Sequence, residues 1–153
     1  MAEHNNHLAG HLPAQPHALL RTLQPLVGTW KLVGPDVDGV IRWEWMEGGF
    51  FLIRHFDLQQ QGHQEGIEYT GYDEETGTLR SRLMQTNGSR LTYTYEIDGD
   101  TWYYWFGNKG SRTHARAIFS ADGRSLSGRW HWVNDDGSPG GYDFVATRID
   151  DGP

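Results

Sequence analysis

The chain has 153 residues, 37% of them hydrophobic, and a formal net charge of -7 from 20 acidic and 13 basic side chains. A chain of this length without a compositional break fits one domain with a real core. Its negative balance argues against a nucleic-acid backbone or an anionic membrane as partner. The absence of cysteine removes disulfides, a thiolate nucleophile and cysteine-based metal sites.

Residues 1–15 read as a disordered, polar N-terminal arm containing Pro and His, without hydrophobic periodicity. The arm has neither the basic flank nor the apolar core of a signal peptide, and no run reaches the ~20 apolar residues of a membrane span. A cytoplasmic protein is therefore expected, and His4, His7 and His11 are expected to be solvated. Residues 16–150 read as a single domain. Pro16–Leu23 predicts a short capping helix with Ala18, Leu19, Leu20 and Leu23 on its apolar face and Pro25 as its stop.

From Val27 onward, ten short alternating or ring-rich runs are separated by turn signals. They cover residues 27–33, 40–47, 50–58, 66–73, 78–85, 89–97, 100–107, 112–120, 125–133 and 141–149. Gly48-Gly49, Asn87-Gly88, Asp98-Gly99, Asp122-Gly123 and Asp136-Gly137 fall between them, which is strong hairpin punctuation. Ten strands with no intervening helix predict an all-β antiparallel meander, and closure into a barrel removes its exposed edges. In a closed barrel the first and last strands are neighbours. Gly28 then allows a close backbone approach, Trp30 plugs one end, and Arg148 lies over the Trp30 ring as a cation–π lid.

With 7 Trp, 7 Tyr and 6 Phe, the core is built of rings. Strand alternation groups Trp43 with Trp45, Tyr93 with Tyr95, Trp102 with Tyr104, and Trp130 with Trp132. If these faces point inward, they line a lumen suited to a flat or apolar molecule. His55, His114 and His131 fall within strands, where a neutral imidazole can bind metal or transfer protons. His55 or His131 is the expected polar anchor. No His-x-His or His-Glu-x-x-His spacing supports a metal centre, and none is assigned. His63 falls in a polar loop and reads as inert. Arg54, Arg112, Arg116 and Arg129 either face solvent among Glu44, Glu68 and Glu96, or turn inward to meet a carboxylate head.

Gly28-Thr29-Trp30 after a capping helix, with Arg148 closing the last strand, resembles the calycins, which include lipocalins, fatty-acid-binding proteins and nitrobindin-type barrels. Trp45-Met46-Glu47-Gly48-Gly49-Phe50-Phe51-Leu52 followed by Gly71-Tyr72-Asp73 is similar to a bacterial lipocalin-like family, DUF1579. That resemblance spans residues 26–149 and implies a barrel with no established reaction. The match to haem barrels is thinner, because Lys31-Leu32-Val33 follows Trp30 and the last histidine is His131. The leading expectation is a non-enzymatic protein that binds a small hydrophobic or aromatic ligand without a cofactor. Three alternatives remain. One is an isomerase-, cyclase- or hydrolase-type enzyme pairing a lumen histidine with Asp57, Glu44 or Tyr104. Another is haem held by a histidine. The last is a self-filled barrel that associates, for example as a homodimer, through Tyr103 and Trp105.

Overall fold

Leu20, Leu23 and Leu26 recur every three residues, the period of a 3-10 helix. The computed structural model, which describes residues 10–150, places such a helix over Ala18–Leu26 with these three leucines buried. The helix is displaced from its expected span, and Pro25 lies inside it instead of ending it. Arg148 accounts for this, since its guanidinium donates from Nη2 to the Pro25 carbonyl at 2.9 Å and from Nη1 to the Val27 carbonyl at 2.5 Å. The carbonyls orphaned at a helix end are satisfied by a side chain from the far end of the chain. Residues 1–9, with His4 and His7, lie outside the described residues. Positions 10–15 form no helix or strand.

Ten strands follow: β1 (Gly28–Val33), β2 (Asp38–Trp45), β3 (Leu52–Gln59), β4 (His63–Asp73), β5 (Thr78–Gln85), β6 (Arg90–Asp98), β7 (Thr101–Phe106), β8 (His114–Phe119), β9 (Ser125–Val133) and β10 (Pro139–Arg148). Each pairs antiparallel with the next, and β1 pairs with β10 to close the barrel. The Gly48-Gly49 turn forms as expected, with both glycines at positive φ. The polar stretch after β3 differs from expectation. His63 and Gln64 belong to β4 and pair with Gln59 and Leu58, so the connection shrinks to Gln60–Gly62.

The closing register sets Trp30 directly opposite Arg148. Arg148 Cζ lies 4.3 Å from the Trp30 ring centroid, and Trp30 Nε1 donates to the Leu26 carbonyl at 2.8 Å. Gly28 has φ +131°, and a methyl group there would lie 2.2 Å from Arg148 Nη1. Glycine is required here both for its backbone conformation and for the space it leaves. Trp30 is fully buried, and the helix leucines cover this end of the barrel. The other end is a mouth ringed by half-buried Tyr93, Trp130, Trp132 and Tyr142 and by exposed Phe106.

Candidate functional site

The lumen follows from strand alternation. Trp43, Tyr95, Trp102 and Tyr104 are buried in it, while Trp45, Tyr93, Trp130 and Trp132 face inward with part of each ring exposed. Successive side chains of a strand point to opposite faces. The aromatic faces read from the sequence therefore share one interior. Trp43 and Trp102 meet edge to face at 5.7 Å, and Tyr93 stacks on Tyr104 at 4.3 Å. Trp45 lies at the helix end, where its Nε1 donates to Gln24 Oε1 at 2.8 Å.

His55 and His131 do not face this interior. His55 alternates with buried Leu52, Arg54 and Phe56 and so turns outward, where its Nε2 lies 2.6 Å from Glu44 Oε2. His131 alternates with Trp130 and Trp132, and on the outer wall it stacks against His114 at 5.0 Å. Partial burial and the neighbouring His114 lower the His131 pKa. None of the three strand histidines lines the lumen, so the residues there supply no histidine ligand for haem and no histidine acid–base group.

The polar anchor of the lumen is an ion pair instead. Arg54 sits among Leu52, Phe56 and Leu58 on the inner face of β3 and meets Glu68 from β4, its Nε 2.8 Å from Glu68 Oε1. Glu68 is fully buried, which corrects its expected place on a solvated outer wall. It accepts hydrogen bonds from Tyr95 Oη at 2.7 Å, Ser81 Oγ at 2.5 Å and Tyr104 Oη at 2.9 Å. These three hydrogen bonds and the charge of Arg54 together hold the buried carboxylate. Arg54 Cζ also lies 4.8 Å from the Phe56 ring centroid. Burial opposes the Arg54 charge, but the surrounding tyrosines and Glu68 outweigh it and raise the pKa. The sequence signal for the pair was the parity of Arg54 with Leu52, Phe56 and Leu58.

Burial also raises the tyrosines, Tyr93 to about 12 and Tyr95 and Tyr104 well above their usual value. Below about pH 10 these phenols are neutral in both folded and unfolded chains, and their contribution to stability is constant. Above that pH the unfolded chain releases protons that the folded one retains, so stability falls as pH rises. The expected result is a flat thermal midpoint to about pH 10 and a steep decline toward 12. An unfolding series with parallel phenolate absorbance checks this.

Arg54 lines a cavity of about 50 Å3 inside the barrel, walled also by Trp43, Trp102, Tyr104, Phe144, aliphatic side chains and the mouth residues Trp130 and Tyr142. It has room for a few water molecules or one small chemical group. Trp102 Nε1 is buried without a hydrogen-bond partner on this wall. Arg54 donates from Nη2 to Tyr104 Oη at 3.4 Å, while its Nε, in ion-pair contact with Glu68, is likewise buried without a hydrogen-bond partner. At the mouth, Gln60 Nε2 donates to Tyr142 Oη at 2.7 Å and links the β3–β4 connection to β10.

A scan of family models gives no match, and no curated protein matches the chain. Among solved structures, the barrel is similar to Rv2717c from M. tuberculosis at 14% identity and a TM-score of 0.56. That similarity covers 89% of this chain and 100% of the other. At such identity it shows a shared fold. A closed barrel is compatible with ligand binding, and among the described residues no helix is long and apolar enough to cross a membrane.

Proposed function

We propose that this protein binds a small aromatic or apolar molecule in the barrel lumen. Its flat body would lie among Tyr93, Trp130, Trp132 and Tyr142 at the mouth, and a hydrogen-bond-accepting head would enter the cavity above Arg54. The observation that carries this reading is the buried, unpartnered Trp102 Nε1. A buried donor without a partner costs about 1–3 kcal/mol, a cost that an acceptor on a bound molecule removes. Glu68 already neutralises Arg54, so a neutral carbonyl head suits the site better than a carboxylate, which would add uncompensated charge to a buried space. Binding from a cytoplasmic pool fits this reading, as does kinship with DUF1579 through the Trp45–Leu52 and Gly71-Tyr72-Asp73 motifs.

The cavity is far smaller than the roughly 300–1,000 Å3 of sites that enclose drug-sized ligands. The head alone fits the cavity, while the mouth rings hold the rest. Titrating tryptophan fluorescence with acetophenone and with benzoate tests this. Saturable quenching by the ketone, weaker for the carboxylate and reduced at least ~10-fold in Trp102→Phe, is the expected outcome. Equal affinities in wild type and Trp102→Phe would exclude this orientation. Absence of saturation with either compound would favour a barrel filled by its own rings.

A further inference from the structure

The outer wall of β1–β5 carries a concavity of about 650 Å3, within the size range of small-molecule sites. Val40, Ile67 and Met84 give it apolar surface, and Asp57 and Glu65 belong to its polar rim. These two carboxylates stand directly opposite each other on β3 and β4. Like charges in that relation repel, so the pairing is unfavourable unless a cation joins it. His63 lies two residues before Glu65 on the same outward face of β4. Its Nε2 is 2.7 Å from Asp57 Oδ1 and 3.8 Å from Glu65 Oε2. One ligand atom from each of the three residues falls within 4.8 Å of the others.

We propose that Asp57, His63 and Glu65 form a binding site for a divalent transition cation, best suited to zinc, whose open coordination positions face the groove. One imidazole and two carboxylates make a mixed nitrogen–oxygen donor set, which suits zinc and disfavours the all-oxygen preference of calcium and magnesium. Metal–ligand bonds of about 2.0–2.2 Å place neighbouring donors of a tetrahedral site about 3.4 Å apart. The 2.7 Å contact therefore opens and the 3.8 Å contact closes, by rotation of side chains that are about half exposed. The ion's two positive charges balance the two facing carboxylates. Three protein ligands leave a position for water or for a molecule lying in the groove. This site is separate from the lumen and does not depend on the lumen's occupant.

The test uses the full chain carrying His4→Ala, His7→Ala and His11→Ala, which removes competing N-terminal imidazoles. Calorimetric titration with zinc is expected to give one ion per chain, and magnesium no comparable binding. Asp57→Asn and His63→Ala should each weaken zinc binding at least ~10-fold. His114→Ala, on the far wall, should leave it unchanged. Cobalt should develop visible ligand-field absorption that His63→Ala abolishes. Without metal, no variant should melt more than a few degrees from the parent, the size expected when one exposed cross-strand charge contact changes, which separates ligand loss from misfolding. Failure to bind zinc, or binding that survives His63→Ala unaltered, overturns the proposal.

Discussion

Replacing Arg54 with Ala is expected to destabilise the barrel by about 3–5 kcal/mol, because Glu68 would remain buried without its cation. For a domain of this size, such a loss lowers the thermal midpoint by roughly 10 °C. The loss should far exceed that from any exposed arginine, such as Arg116, whose described contact is an outer-wall approach to the Tyr103 ring. Replacing both partners, as Arg54→Met with Glu68→Leu, should recover much of the stability, since apolar side chains need no counter-charge. A thermal or urea unfolding series on the single and double variants checks the account. If Arg54→Ala alone unfolds like wild type, the pair is not the lumen's electrostatic centre.

Trp30→Ala is expected to cost a further, independent ~3–5 kcal/mol by opening a cavity under the helix. It removes the hydrogen bond to the Leu26 carbonyl and leaves the Arg148 guanidinium without the ring beneath it. Arg148→Lys should also destabilise, by a smaller amount. A single ammonium cannot reproduce the planar fork that reaches the Pro25 and Val27 carbonyls while covering an indole. Denaturant midpoints measure both effects. The costs of Trp30→Ala and Arg54→Ala should add, because the two residues share no partner in the described contacts.

The barrel was legible because turn chemistry and period-2 alternation agreed across ten runs, and closure placed Trp30 opposite Arg148 as the end-to-end pairing requires. Ring placement was largely legible: each aromatic pair shared one strand face, and Trp43, Trp45, Tyr93, Tyr95, Trp102, Tyr104 and Trp130 join or pack against the core, while Trp132 meets Tyr142 at the mouth. The histidines were harder to place, because periodicity fixes which residues share a face but leaves open which face is inner. Arg54 holds the inward parity on β3, and His55 beside it is therefore outward. Glu68 was obscured by its charge, since a buried carboxylate is costly until Arg54, Ser81, Tyr95 and Tyr104 converge on it from other strands. That convergence depends on register across β3–β7, which no single stretch of sequence displays. The 3-10 geometry was present in the three-residue spacing of Leu20, Leu23 and Leu26, but Pro25 dominated the reading until Arg148 supplied partners for the helix end.

The most direct measurement of the binding account is the indole N–H spectrum of 15N-labelled protein during titration with acetophenone, with the Trp102 signal assigned through Trp102→Phe. The account predicts that the Trp102 Nε1–H resonance moves downfield and saturates as its donor acquires an acceptor. The Trp30 resonance, already bonded to the Leu26 carbonyl, should stay in place. A Trp102 resonance that does not move while the ketone binds, or a response confined to outer-wall Trp105, would contradict it.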